Sequence, residues 1–348
     1  MSQKKITNPR KNKIGLREIA AESNVSVATV SRVLNGNSRV DPAIRDVVLQ
    51  VAAKMKVDVS QRNKTKALAF LLSNRAMLHA FHSRILIGAE AYCAANGWDM
   101  VFLSYKYSSA VPWKQLHLPK VMQRHDVVRA VILAGTNYPN LLELFDRKGI
   151  VYSVFGNNII GEPTNFKGDI VYSDDLQGGE DMTKYLIGLG HRDIWFIGNI
   201  RMPWFARHFE GYRRTMTAAG LVPRLSNLEF EDEIQMGYIN TKSILAQSQP
   251  RCTAILAGND QTAHGVYKGV RDSGLKVADN VSVAGCDDTA SAVLDPGLTT
   301  TREFPEQLGQ QMVKLVLDRI AQPALPPQVI TIPTELVKRE SCSRVIVT

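Results

Sequence analysis

The sequence predicts an α/β protein in two parts: a small all-α helix-turn-helix head, then a two-lobed body with two parallel sheets. Three observations predict it. Three short apolar stripes at helical spacing lie between residues 14 and 57. From residue 67 the rhythm changes to apolar runs alternating with amphipathic segments. The charge is also lopsided. Residues 1–66 hold 14 Lys and Arg against 5 Asp and Glu, and the remainder holds 28 of each, so the whole formal net charge of +9 sits in the head and its flanks.

In the head, Leu16, Ile19 and Ala20 form the first stripe at i, i+3, i+4 spacing. Asn24-Val25 makes a tight turn, with Asn suited to left-handed backbone. Ser26 is placed to cap the second helix, whose inward stripe is Val30, Val33 and Leu34. Asp41 and Pro42 start the third helix, with Ile44, Val47, Val48, Val51 and Met55 as the closing stripe. Two short helices joined by a tight turn and braced by a third describe a helix-turn-helix, whose second helix enters the major groove of DNA.

The outward residues of that helix, Val27, Ala28, Ser31 and Arg32, are small apart from the arginine. Small side chains let a helix lie deep against base edges. Their methyl groups can meet thymine methyls, and Arg32 can reach a guanine edge or a phosphate. Ser26, Thr29 and Ser31 offer hydroxyls to phosphates. The basic head points to a polyanionic partner. A membrane surface is polyanionic too, but the head lacks the aromatic, Leu-rich face of an interfacial helix. Double-stranded DNA is therefore the expected partner, and no membrane. The plainer alternative is a three-helix protein-binding module. The basic tail reads equally as a solvated charge run or as an arm adding phosphate contacts.

In the body, apolar runs at 67–73, 99–104, 129–135, 150–156, 194–199, 253–258 and 281–286 read as strands. Amphipathic segments at 83–96, 113–124, 139–148, 177–189, 208–219, 237–248 and 261–273 read as helices. This alternation implies parallel sheets covered on both faces, and the number of units exceeds one sheet. Ligands in such sheets bind beyond the carboxyl ends of strands. Asn157, Asn259-Asp260 and Asp287-Asp288 follow three of the runs. Polar groups at facing strand ends describe a hinged small-molecule receptor. Taken singly, an Asn or Asp there is often a helix N-cap, the expectation for Asp260 or Asp288.

The run VSVATVSRVLNG from Val25, preceded by LREIAAES and followed by VDPAIRDVVLQVAAKM, resembles the head of the LacI/GalR family of bacterial transcriptional repressors. In the body, Tyr172-Ser173-Asp174-Asp175, Leu189-Gly190-His191-Arg192, Ala257-Gly258-Asn259-Asp260, Gly285-Cys286-Asp287-Asp288 and Leu336-Val337-Lys338-Arg339 are similar to the same family. The resemblance thus covers the chain to about residue 340. It implies a periplasmic-binding-protein-like body whose chain crosses between lobes three times, expected near 157–169, 288–296 and 321–328. The expected parts are a tail at 1–13, the helix-turn-helix domain at 14–58, a short linker at 59–66 and the body at 67–345. Lobe 1 is expected at about 67–160 and 292–322, and lobe 2 at about 161–291 and 323–345. The resemblance also implies a cytoplasmic homodimer on a pseudo-palindromic operator. DNA would be held by Ser26, Val27, Ala28, Thr29, Ser31, Arg32 and Asn35. A small polar effector, a carbohydrate by the resemblance, would bind at Phe81, Asn157, His208, Asn259 and Asp287 and modulate operator affinity.

The chain departs from the family pattern at its clamp and at its linker. The Arg usual before the Gly-aromatic pair is His208 here, beside Arg207. Gly156 stands where an acidic residue is usual, and Cys286 where a Tyr is. Residues 57–66 are short, polar and basic, without the Ala-Arg-x-Leu of a hinge helix, so a phosphate-contacting tether is expected instead. The missing clamp residues keep open a regulator whose body only dimerises.

An α/β enzyme is a further alternative. Asp174-Asp175 and Asp287-Asp288 are adjacent pairs, and neighbours on an extended chain point to opposite faces. No GxGxxG, P-loop, GxSxG or HExxH occurs. Catalytic residues, metal and cofactor are therefore not expected. Cys93, Cys252, Cys286 and Cys342 form no CxxC pair, and Cys93 and Cys286 sit in apolar runs as packed thiols would. The first residues carry no apolar h-region, and no apolar run approaches the length of a membrane span.

Overall fold

The computed structural model describes residues 15–34, 40–55, 66–75, 79–124, 127–161, 166–247, 252–289 and 293–345. The chain divides into two units, Met1–Lys66 and Ala67–Thr348. The tail, most of the linker and Asn35 lie outside the described residues.

The first unit contains α1 (Leu16–Glu22), α2 (Val27–Leu34) and α3 (Pro42–Lys54). The Gly15 amide donates to the Glu18 carboxylate at 2.7 Å and closes the first turn of α1. Asn24 turns the chain toward α2 with φ 53°, a left-handed conformation that Asn tolerates. The Ser26 hydroxyl accepts the Thr29 amide at 3.0 Å and starts α2. Asp41 accepts the Ala43 and Ile44 amides at 2.8 and 3.4 Å, and Pro42 opens α3. Ile19, Ala20, Val30, Val33, Leu34, Val48 and Ala52 form the core. The closing stripe is narrower than its apolar residues suggest: Ile44 is 39% and Val47 46% exposed. The short α1 and α2 bury Val48 and Ala52 of α3, with Leu49, Val51 and Met55 partly covered beside them.

The second unit holds two six-stranded sheets. The first comprises β1 (Ala67–Ser73), β2 (Asp99–Tyr105), β3 (Val128–Gly135), β4 (Val151–Phe155), β5 (Asp169–Ser173) and β11 (Val329–Ile332). Its order is β11-β5-β4-β3-β1-β2, parallel throughout. The second comprises β6 (Ile194–Ile197), β7 (Arg224–Ser226), β8 (Ala254–Ala257), β9 (Ser282–Asp287), β10 (Thr299–Arg302) and β12 (Glu335–Val337). Its order is β12-β10-β9-β8-β6-β7, with only β10 and β12 antiparallel.

Helices α4 (Ala80–Ala95) and α10 (Pro305–Ala321) pack together on the first sheet, whose other face carries α5 (Pro139–Lys148). On the second sheet α6 (Asp175–Gly188) pairs with α7 (Pro203–Ala218), and α8 (Glu233–Leu245) with α9 (Asp260–Arg271). The pairs approach so closely that glycine is required at the crossings. A β-carbon on Gly309 would lie 2.0 Å from the Ile85 carbonyl oxygen, and one on Gly211 2.1 Å from that of Leu176.

The sheets correct the expected lobe limits. Asp169–Ser173 belongs to the first sheet, although 161–291 was assigned to lobe 2. Thr299–Arg302 belongs to the second and Val329–Ile332 to the first, again opposite to expectation. The crossings therefore fall at residues 174, 303–304 and 333–334 rather than in the polar loops upstream. The reason is physical. Asp169 carries a charge at the start of a short strand, yet it is buried, because Arg319 of α10 donates to it from Nε at 2.8 Å. Thr299, Thr300 and Thr301 look polar but pack as buried β-branched strand residues. The segment expected as a helix at 113–124 is two short 3₁₀ turns, at 113–115 and 120–123, split by Pro119.

Candidate functional site

Two surfaces carry chemistry. In the first unit, α2 presents Ser26, Val27, Ala28 and Arg32 to solvent, Val27 at 41% exposure. Thr29 and Ser31 are half-buried. The Ser26 and Thr29 hydroxyls lie 2.8 Å apart, so both are also engaged in the helix start. Beneath them Val30, Val33 and Leu34 anchor the helix. An apolar underside with small, mostly uncharged side chains outward is the shape a groove-entering helix needs.

In the second unit a cavity partly open to solvent lies between the lobes. From the first sheet and its flanks come Arg75, His79, Phe81, His82, Phe155 and Asn157. From the second come Trp204, Glu233, Asn259, Cys286 and Asp287. Asp175 and Glu303 complete the lining, and each sits directly beside a crossing. Arg75 lies over the Trp204 ring, 4.5 Å from its centroid, across the cleft. Phe81 and Phe155 pack with tilted rings, 5.6 Å between centroids, and close one wall.

The carboxyl groups here are perturbed in one direction. Burial, against the pull of Arg207, pushes Asp175 up to about 7. Burial, then neighbouring Glu303, Asp260 and Glu233, raises Asp287 well above the carboxylate range. Burial raises Glu303 despite the Cys286 thiol, which donates to its Oε1 at 3.0 Å. Burial pushes His82 well below the usual imidazole range, and pushes His79 down against the pull of Glu233. Asp287 and Asp288 hold φ of 108° and 54°, strained for non-glycine residues and of the kind that collects at ligand sites.

Of the expected effector residues, Phe81, Asn157, Asn259 and Asp287 line this one cavity. Asn157 is locked by a reciprocal pair with the Ser173 backbone, both at 2.9 Å. Asn259 caps α9 through the Thr262 amide at 2.9 Å and donates to Glu233 at 2.7 Å. The cap is thus Asn259. Asp260 instead accepts the Thr300 hydroxyl at 2.7 Å, and Asp288 takes Arg302 and Arg339, both at 2.7 Å.

His208 does not line the cavity, and its assignment to the effector clamp is corrected. The residue is buried in lobe 2 against Phe196, 5.8 Å between rings, where α7 crosses Gly179. Its pKa falls to about 4 through burial. Gly156 also has a structural reason: a β-carbon there would meet the Tyr172 ring at 2.3 Å. Arg75, His79, Trp204, Glu233 and Glu303 escaped the sequence reading. They stand at helix starts, strand exits and a crossing, outside the Gly-Asp motifs that mark strand ends. The pair Asp174-Asp175 was visible but was weighed as a catalytic dyad. Asp174 caps α6 through the Gln177 amide at 3.2 Å, and Asp175 enters the cavity.

A groove-shaped helix on a three-helix head, joined to a two-lobed body with an interlobe cavity, defines the class of helix-turn-helix regulators with a periplasmic-binding-protein-like body. Residues 15–56 match the bacterial regulatory proteins of the lacI family, and residues 183–342 match the periplasmic binding protein-like domain. The chain belongs to the LacI/GalR family of bacterial transcriptional regulators. The HTH-type transcriptional repressor PurR of Glaesserella parasuis serovar 5 is 29% identical over 343 residues, covering 94% of this chain and 97% of that protein. A solved complex of the transcriptional regulator CelR with cellobiose is similar with a TM-score of 0.68 and 25% identity, over 94% of this chain and all of that one. The lac repressor dimer bound to operator and the anti-inducer ONPF shares the fold, with a TM-score of 0.67 and 22% identity over 95% of this chain and 99% of that one. No helix among the described residues is long and apolar enough to cross a membrane.

Proposed function

We propose that this chain is a cytoplasmic, homodimeric transcriptional repressor. Its affinity for a pseudo-palindromic operator is set by a small carbohydrate-class effector in the interlobe cavity. Val27, Ala28 and Arg32 read bases, and Ser26, Thr29, Ser31 and Asn35 position the head on the backbone. The resemblance to a cellobiose-bound regulator supports a sugar-like effector, and the operator-bound lac repressor supports a dimer. Phe81, Asn157, Asn259 and Asp287 contribute to the effector site.

The observation that carries the reading is that Asp175 and Glu303 both line the cavity and both adjoin crossings between the lobes. A ligand gripping these two carboxyls acts on the hinge directly, and its differential affinity for two lobe arrangements becomes a change in operator affinity. A body kept only for dimerisation would have no reason to retain a cavity lined from both lobes, with polar atoms such as Asp175 Oδ2 buried without a hydrogen-bond partner among the described residues. The test is a mobility shift. The protein selects its operator from random duplexes, and the selected palindrome is then titrated with and without a sugar panel. Selection of no palindrome at moderate salt overturns the repressor reading.

A further inference from the structure

The cavity is richer in acceptors than a neutral sugar requires. Among the described residues four carboxyl groups line it, Asp175, Glu233, Asp287 and Glu303, against a single guanidinium, Arg75. Burial works against a charge on either wall histidine. Arg207 donates to Oδ1 of Asp175 at 2.6 Å, while Oδ2 of the same carboxyl is buried without a hydrogen-bond partner among the described residues. Sγ of Cys286 and carboxylate oxygens of Asp287 and Glu303 lie within 4.8 Å of one another, all buried. Around Asp287 three carboxyl groups act more strongly than Arg75 does.

The amides that ordinarily grip sugar hydroxyls are committed elsewhere. Asn157 holds the Ser173 backbone, Asn259 holds Glu233, and Asn158 lies 2.9 Å from Nε2 of His82. Among the described residues the lining carries little positive charge beside its carboxyl groups. Buried carboxyls this close together hold protons, and a bound cation can take the place of those protons. An ammonium group brings three donors and one charge in a compact head. Phe81 and Phe155 make the neighbouring wall apolar.

We propose that the effector is an amine-bearing carbohydrate, whose ammonium group sits among Asp175, Asp287 and Glu303. The proposal rests on the cleft being the effector site, and the experiment separates the two. The full-length protein is titrated by calorimetry and thermal shift with D-glucosamine, D-galactosamine, D-mannosamine and chitosan-derived disaccharide. The controls are the parent neutral sugars, the N-acetylated forms, putrescine, Zn²⁺ and Mn²⁺. An amino sugar should raise the melting temperature and bind at least about tenfold tighter than its neutral and N-acetylated counterparts. Asp287→Asn and Glu303→Gln should each erase that preference. A neutral or N-acetylated sugar binding as tightly overturns the amine requirement and leaves the cleft an effector site. Putrescine or a metal binding where the sugars do not overturns the carbohydrate. If nothing in the panel binds at millimolar concentration while the operator is still held, both the proposal and the carbohydrate-effector reading fall.

Discussion

Replacing His208 by leucine should remove an acid-labile group from the core of lobe 2 without touching the cavity lining. Burial holds this imidazole at about 4 in the fold, against 6.5 ordinarily. A base with a depressed folded pKa stays neutral in the fold while the unfolded chain takes up the proton. Its contribution is therefore complete above about pH 6.5 and is lost progressively as pH falls toward 4. Between pH 7.5 and 5.5 this one group removes about 1.4 kcal/mol of stability, or about 3 °C of melting temperature in a body of this size.

The pH slope of the unmodified protein does not isolate the effect. His82 and His191, also pushed down by burial, act with the same sign. Asp175, Asp287 and Glu303 act oppositely: raised carboxyls take up protons in the fold and favour it as pH falls. The diagnostic quantity is the difference between the two proteins. Melting curves at pH 7.5, 6.5 and 5.5 should show the leucine variant gaining about 1.4 kcal/mol on the parent across that range, whatever their offset at pH 7.5. Parallel curves would mean that His208 is already protonated or solvated in the fold, and would reopen its place in the clamp.

Three other outcomes follow from the same geometry. Arg32→Ala should weaken the selected operator by about 1–3 kcal/mol in fluorescence anisotropy while affecting random duplex far less; equal losses on both would demote Arg32 to a phosphate contact. Gly211→Ala places a β-carbon 2.1 Å from the Leu176 carbonyl oxygen, so α6 and α7 must separate; a soluble variant melting with the parent would contradict that packing. Asp169→Asn leaves the Arg319 guanidinium, whose side chain is only 11% exposed, without its carboxylate. A cost of about 3–5 kcal/mol is expected in urea denaturation, and a loss below about 1 kcal/mol would show that the site admits water.

The head was legible because its information is local. Asn24, Ser26, Asp41 and Pro42 each do at their own position what their chemistry allows, and the helices follow. The central strands were legible because continuous apolar runs have few alternatives. The errors fall where tertiary partners overrule local appearance. Asp169 looks like loop until Arg319 neutralises it, and three threonines look like linker until they are buried between β9 and β12. His208 was drawn toward the clamp by its place in a pattern, but a helix face is decided by what packs on it, and Phe196 and Gly179 occupy that side.

The cavity divides along the same line. Asn157, Asn259 and Asp287 follow from the rule that parallel strands deliver ligand groups at their carboxyl ends. Glu303 obeys no such rule. It stands one residue beyond β10, in a crossing too short to carry any pattern, and it was missed together with that strand. Yet it is this position that makes the site more than a pocket. A group on a strand end can hold a ligand; a group in the crossing holds the ligand and the hinge at once. Losing the Glu303 carboxyl should therefore weaken effector binding and also uncouple whatever binding remains from operator affinity. Losing Asp287 should weaken binding alone. Measuring operator affinity at saturating effector in Glu303→Gln and Asp287→Asn distinguishes the two roles. Equal coupling in both would place the hinge's control elsewhere.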